Sequence, residues 1–363
     1  MSDILIIGSG AIGLLTAHEL ARSGAKITLV EQGATGREAS WAGGGILSPL
    51  YPWRYADAVT ALALWSQGQY PQLCTELREA TGIDSEYVRG GLLILDSQEQ
   101  DQALAWGQRH QARIESVPRD ALHEIAPHLG PRPPTALWMP EIAQVRNPRF
   151  VKALRRSLAG RVTIREQEEV VKLRIDAGRI IGVRTCRGTL AADRVLVCAG
   201  AWTGRLFAGL GKWPDLEIEP VHGQMLLFRA EPGRLSPVVL FCDRYLIPRR
   251  DGRILIGSTL ERTGFVKATT PTAREDLHRA AVELLPPLAS APVEHHWAGL
   301  RPGAPQGIPY IGAYPGIRGL YCNAGHYRNG LVTGPASARL AADLLLGRDP
   351  IIDPAPYALD ADR

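Results

Sequence analysis

The sequence predicts an α/β fold in which a Rossmann-like nucleotide-binding domain is interleaved with a smaller, mixed-sheet α+β substrate domain. Three observations predict it. Residues 4–31 read strand, glycine-rich turn, helix, strand. Two later blocks, about 86–145 and 215–297, interrupt that pattern with short apolar runs and turn signals. The chain then closes as it opened, with the apolar run "GLYCNA", a glycine-bearing loop and a helical pattern.

The opening run "DILIIGSGAIGLLTAHELARSGAKITLVEQG" justifies the first unit element by element. Ile4 to Ile7 form a short apolar strand of the buried parallel kind. Gly8, Gly10 and Gly13 follow in GxGxxG spacing. The first glycine allows the tight turn, the second lets backbone approach a pyrophosphate, and the third lets the helix pack close to the strand. Leu14, Ala17, Leu20 and Ala21 recur at helical intervals, and Gly24 suits the helix end. A second strand, Ile27 to Val30, leads to Glu31, where an acid can accept hydrogen bonds from a ribose diol. An anion is favoured at a helix N-terminus by the dipole and free N–H groups, so the pattern points to a dinucleotide. A glycine-rich turn in some other α/β protein is the plainer alternative.

Beyond Glu31, "REASWAGGGILSP" (Arg37 to Pro49) sets Gly43, Gly44 and Gly45 in a row. Consecutive glycines let backbone lie against a flat ring, which favours a flavin over a nicotinamide; a flexible loop is the alternative. No second GxGxxG follows a strand, so a separate nicotinamide nucleotide site is not expected.

Residues 1–85, 146–214 and 298–363 are expected to make the cofactor domain, and 86–145 with 215–297 the substrate domain. In the middle of the chain "NPRFVKALRRSL" reads as a helix, and "RVTIREQEEVVKLRIDAGRIIGVRT" and "ADRVLVCAGAW" as strands. "YLIPRRDGRILIGST" places two apolar strands around Asp251-Gly252, a hairpin signal. The last helix starts near Pro335, suited to the first helical position, with Leu340, Leu344 and Ala341, Leu345 at four-residue spacing.

Composition narrows the function classes. A chain of 363 residues, 45% hydrophobic and 21% charged, is long enough for a sizeable core. The net charge of +4 is spread thinly, and of the 41 basic residues only Lys26, Lys152, Lys172, Lys212 and Lys267 are lysine. Without a dense basic block, nucleic acid is not an expected partner. No apolar run approaches the roughly 20 residues of a membrane helix, and "MSDILIIGSG" lacks a signal-peptide pattern, so a cytoplasmic location is expected. Five cysteines without a CxxC pair argue against a disulfide framework or a zinc site. Cys198 and Cys322, in apolar runs, read as buried inert thiols, and no metal is expected from His222, His295 or His296.

Two arginines stand apart from the rest: Arg301 in "WAGLRPG" and Arg328 in "AGHYRNG". Glycine and proline neighbours suit close approach to a ligand, and a guanidinium fork matches a carboxylate bidentately. Most arginines are nevertheless surface residues.

With "GSGAIG", "EASWAGGGILSP", "ADRVLVCAGAW", "YLIPRRDGRILIGST", "WAGLRPGAPQGIPYIG" and "AGHYRNGLVTGPASARLAADLL" in this order, the chain resembles the D-amino-acid oxidase superfamily of flavoproteins, most closely its glycine oxidases of thiamine biosynthesis. The resemblance implies FAD, oxidation of a small primary or secondary amine to an imine, and hydrogen peroxide from molecular oxygen. Relatives with covalent flavin carry a histidine in the early glycine segment or a cysteine near "LRP". Neither is present, so non-covalent FAD is implied.

The resemblance places Arg301, Arg328 and Tyr245 at the substrate carboxylate, although Arg328 could instead touch the flavin and Tyr245 could be a plain sheet residue. It places the cofactor on Gly8, Gly10, Ala11, Ile12, Gly13, Glu31 and Gln32, on Ala39, Ser40, Gly43, Gly44, Gly45 and Ile46, on Val170 and Gly200, and on His326, Tyr327, Arg328, Asn329, Gly330 and Leu331. His326 could equally be a loop histidine satisfied by backbone. No protein general base is implied. Tyr51, Trp53 and Tyr55, after the glycines, are expected to narrow the pocket to small substrates, or else to pack in the core. A dehydrogenase of the same fold that feeds a quinone or carrier, and a flavoprotein subunit without turnover, remain alternatives, and a homo-oligomer is left open.

Overall fold

The computed structural model describes residues 4–96, 98–130, 133–210 and 216–363. The cut expected at 214/215, the first three residues of the N-terminal reading, and Pro131 and Arg132 of the proline-rich stretch lie outside the described residues.

Ile4–Ile7 is central in a six-stranded sheet, in the order Tyr310–Ala313, Leu320–Ala324, Arg194–Val197, Ile4–Ile7, Ile27–Val30, Thr163–Arg165. All neighbours are parallel except the first pair. Strands buried on both faces need no polar alternation, which is why "ILII" and "RVLV" read as near-continuous apolar runs. Helix Ala11–Arg22 covers one face with Leu14, Ala17 and Leu20, all fully buried. Each such leucine contributes about 2 kcal/mol on leaving water. A Cβ on Gly13 would lie 2.0 Å from the Gly8 carbonyl oxygen, so only a hydrogen fits between helix and turn. Helix Gly334–Leu346 carries Pro335 in its first turn and ends at Gly347, whose φ of 67° is the left-handed form glycine adopts freely.

An eight-stranded sheet runs in the order Val293–Gly303, Glu219–Arg229, Arg253–Gly257, Arg244–Pro248, Val238–Phe241, Leu92–Ile94, Thr135–Met139, Glu115–Pro118. It draws strands from both sequence blocks, joined where Val238–Phe241 pairs in parallel with Leu92–Ile94. Strand Val293–Gly303 is continuous across the expected 297/298 cut. The hairpin predicted at Asp251-Gly252 pairs Tyr245 with Gly257 and Pro248 with Ile254. Helix Pro271–Leu284, which the strand-rich reading of 215–297 did not anticipate, packs Ala273, Leu277, Ala281 and Leu284 inward. Its first turn is closed by the Thr270 hydroxyl, which accepts from the Ala273 N–H. A third, antiparallel sheet comprises Val170–Asp176, Arg179–Thr185 and Gly188–Ala191.

Pairing register decides which side chains share a face. Tyr245 pairs with Gly257 and Gly257 with Met225, and two and four residues back along the Met225 strand Gly223 faces Gly299 and Val221 faces Arg301 on its other neighbour. With a side-chain period of two, Tyr245, Met225, Gly223 and Arg301 lie on one face of the sheet. No helix among the described residues is long and apolar enough to cross a membrane.

Candidate active site

A cavity of about 420 Å³ lies between the C-terminal ends of the parallel strands, marked by Ile7, Val30 and Cys198, and the face of the eight-stranded sheet that carries Met225, Tyr245 and Arg301. Ligands of open parallel sheets settle at this end because the connecting loops and helix N-termini converge there. Of the residues singled out from sequence, Gly8, Gly10, Ala11, Ile12, Glu31, Gln32, Ala39, Ser40, Gly43, Gly44, Gly45 and Ile46 line it. So do Val170, Gly200, Tyr245, Arg301 and the run His326 to Leu331. Gly13 does not line it. It serves the close packing of helix on turn.

At the nucleotide end the Glu31 carboxylate is buried and accepts from Ser9 N at 2.8 Å, Ser9 Oγ at 3.1 Å and Gly33 N at 3.0 Å. Three donors satisfy this carboxylate only in part and leave acceptor capacity for a ligand. Ser40 Oγ accepts from Ala11 N at 2.8 Å and so ties the glycine segment to the helix N-terminus. The three consecutive glycines are needed by the protein behind them. A Cβ on Gly45 would lie 2.1 Å from the Val145 carbonyl oxygen, and one on Gly44 2.4 Å from Ile247 Cδ1. Behind them sits Arg249, whose guanidinium donates to Gly44 O at 2.7 Å, Val145 O at 3.0 Å and Gln144 Oε1 at 2.7 Å. Desolvation by burial, with Arg146 nearby, pulls its pKa down to about 10, so it is still charged at neutral pH.

The loop of Arg328 is joined to the strand of Arg301 by backbone: Tyr327 N donates to Pro302 O at 2.8 Å. The Arg301 guanidinium lies across Gly223, where a Cβ would fall 2.2 Å from Nη1. It donates from Nη1 to the His222 and Thr259 carbonyls at 3.2 and 3.4 Å, and from Nη2 to Ser258 Oγ at 2.5 Å. Among the described residues neither Arg301 nor Arg328 has an acidic partner within ion-pair distance. The Tyr245 ring packs over Gly257 and approaches Gly44. His326, offered as a flavin neighbour, has both ring nitrogens engaged, Nδ1 with Thr333 Oγ1 at 3.0 Å and Nε2 with Asn323 Oδ1 at 2.9 Å. Burial lowers its pKa to about 3, so it stands neutral.

Two of the aromatic residues expected to narrow the pocket are placed elsewhere: Tyr51 donates to Asp96 at 2.6 Å and Trp53 to Glu99 at 2.5 Å, and neither lines the cavity, whereas Tyr55 lies beside Asn329 and Arg328 at its wall. Ser48 and Leu50 of that segment line the cavity. Sequence reasoning missed Ser258, Thr259, Gly223, Met225, Arg249 and Asn147. Only Ser258 and Thr259 carried a signal, as the end of the "GST" that follows the hairpin. Asn147 and Asn329 border the cavity with Oδ1 of the first and Nδ2 of the second unbonded within the protein. All five cysteines are unpaired, and burial raises the thiols of Cys198 and Cys322 far above neutral pH, which leaves them inert.

Comparison with known proteins places this geometry. The family model "FAD dependent oxidoreductase" matches residues 3–344. A glycine oxidase of Pseudomonas aeruginosa is 53% identical over 98% of this chain and 98% of its own length. The bifunctional protein ThiO/ThiG of Trichormus variabilis is 31% identical over 98% of this chain and 55% of its own. The crystal structure of glycine oxidase from Geobacillus kaustophilus superposes with a TM-score of 0.92 at 30% identity, covering 100% of both chains. The strand–glycine turn–helix unit, the cavity at the strand ends and the matched span agree: the chain belongs to the FAD-dependent oxidoreductase family.

Proposed function

We propose that this protein is an amino-acid oxidase that converts glycine, or sarcosine and small D-amino acids, with oxygen and water to glyoxylate or a keto acid, ammonia or an amine, and hydrogen peroxide. The glycine oxidases among its relatives support the substrate class, and the ThiO/ThiG relative supports a place in thiamine biosynthesis. The observation that carries the reading is Arg301: a partly buried guanidinium on the cavity wall, with no acid beside it, calls for an anionic ligand.

The residues fit non-covalently held FAD. The N-terminus of helix Ala11–Arg22 opens onto the cavity, where it favours a pyrophosphate, and Glu31 keeps acceptor capacity for a ribose diol. The unbonded Asn147 Oδ1 and Asn329 Nδ2 offer an acceptor and a donor to a polar ligand. When bound, FAD would supply a hydride acceptor for the substrate Cα, with oxygen as the final electron acceptor and hydrogen peroxide as the product.

Arg301 anchors the substrate carboxylate, and Tyr245 with Arg328 completes its surroundings. Fixing one end of so small a molecule fixes the Cα as well, and orientation is a large share of such rates. No protein base is assigned. His326 has both nitrogens committed, and the acids on the cavity wall, Glu31, Glu38, Glu168 and Glu169, belong to segments at the nucleotide end. The amine therefore reacts in its neutral form.

Arg301→Ala should raise KM for glycine by about 30-fold or more, as loss of a buried charge partner costs 2 kcal/mol upward. FAD content should be unchanged. An unaltered KM removes the anchoring role. Peroxide yield across glycine, sarcosine and D-alanine then ranks the substrates. Turnover with an artificial acceptor but no peroxide would identify a dehydrogenase.

A further inference from the structure

A guanidinium carries five N–H bonds, and the Arg301 surroundings engage them unequally. Nη1 donates to two backbone carbonyls, those of His222 and Thr259, and Nη2 donates once, to Ser258 Oγ. Two N–H bonds remain, one on Nε and one on Nη2, and with Ser258 on the Nη2 hydrogen that points towards Nη1 the free pair shares the Nε–Nη2 edge. We propose that Ser258 is a positioning residue: by occupying one Nη2 hydrogen it turns Arg301 so that the Nε–Nη2 edge, rather than the Nη1–Nη2 edge, meets the substrate carboxylate. This rests on Arg301 as the carboxylate anchor.

The hydroxyl is itself fixed. Ser258 is 5% exposed and follows strand Arg253–Gly257, and its carbonyl accepts from Arg244 Nη1. Thr259, the next residue, holds its register through Oγ1, which accepts from Gln224 N at 3.0 Å. The far end of the same connection is secured twice. Thr270 N donates to Gln224 Oε1 at 2.9 Å, and Lys267 Nζ donates to Glu38 at 2.8 Å. Between them Phe265 packs on Trp202 at 5.5 Å and under the Arg205 guanidinium at 3.5 Å. Glu38, Trp202 and Arg205 all line the cavity, so the segment that holds Arg301 is also tied to the cofactor side. A loop fixed at both ends can hold a hydroxyl to the tolerance that bidentate recognition requires.

The test uses the holoenzyme and four proteins: wild type, Ser258→Ala, Arg301→Ala and the double variant. KM for glycine is measured together with Kd for acetate, a carboxylate without a reacting amine, from the flavin difference spectrum. Ser258→Ala should raise both by roughly tenfold, about 1.4 kcal/mol, while kcat falls less and FAD content and Tm stay near wild type. Added to Arg301→Ala it should change neither constant further, because it acts only through that side chain. Ser258→Thr, which keeps the hydroxyl, should recover most of the loss. Wild-type constants in Ser258→Ala beside a raised KM in Arg301→Ala would overturn the proposal alone. Wild-type constants in both would overturn the anchor as well. Equal losses in Ser258→Ala and Ser258→Thr, or additive losses in the double variant, would mean a packing effect and overturn it too.

Discussion

The two ends of the cavity are built by different physics. At the nucleotide end the decisive contacts are backbone on backbone: a Cβ at Gly13 would meet the Gly8 carbonyl at 2.0 Å, and one at Gly45 the Val145 carbonyl at 2.1 Å. At the substrate end a Cβ at Gly223 would meet a side chain, the Arg301 guanidinium, at 2.2 Å. Buried backbone yields only if the chain around it moves, whereas the end of an arginine can swing aside. The nucleotide end is therefore a rigid mould, and the substrate end an adjustable clamp whose setting depends on its hydrogen-bond partners.

Substitutions can break that contrast. Gly13→Ala should be the most damaging, with loss of FAD retention on purification and destabilisation of about 3 kcal/mol, the upper range for forced overpacking. Thermal unfolding and the ratio of flavin to protein absorbance measure both. A stable yellow Gly13→Ala protein would show that the turn has slack. Gly223→Ala should keep its flavin and most of its stability but raise KM for glycine about tenfold, equivalent to about 1.4 kcal/mol. Loss of flavin there would erase the distinction between the two ends.

An effect seen only on acidification comes from His326, which braces the loop between the two ends. Its folded pKa, near 3, lies below the ordinary value of 6.5, so the unfolded chain binds the extra proton as pH falls. Stability from this group is intact above about pH 6.5 and falls by up to about 1.4 kcal/mol per pH unit below it, until the folded pKa is reached. Tm compared at pH 7.5 and 5.0 should drop less in His326→Asn than in wild type. Parallel slopes would mean that the imidazole is not the group sensed.

Legibility followed the same divide. The turn at Gly8 to Gly13 and the acid at Glu31 were readable because their partners are neighbours in sequence and each glycine has a local steric reason. Arg301 was readable from its glycine and proline neighbours. Ser258 was not, since it meets Arg301 only after the sheet has brought together residues 43 apart. Tyr51 and Trp53 misled because composition says nothing of direction: their polar ends are held by Asp96 and Glu99. Helix Pro271–Leu284 was hidden by its many charged residues, its apolar stripe being Ala273, Leu277, Ala281 and Leu284.

By itself the sequence determined the nucleotide-binding unit, the hairpin at Gly252, the terminal helix and the two arginines worth testing, because propensity, periodicity and glycine sterics act over a few residues. Only the tertiary structure decided which nitrogens of Arg301 are engaged, that Arg249 braces the glycine segment, and which residues wall the substrate end. Those outcomes depend on strand register across long loops, and a slip of a single residue would turn the same side chains to the opposite face.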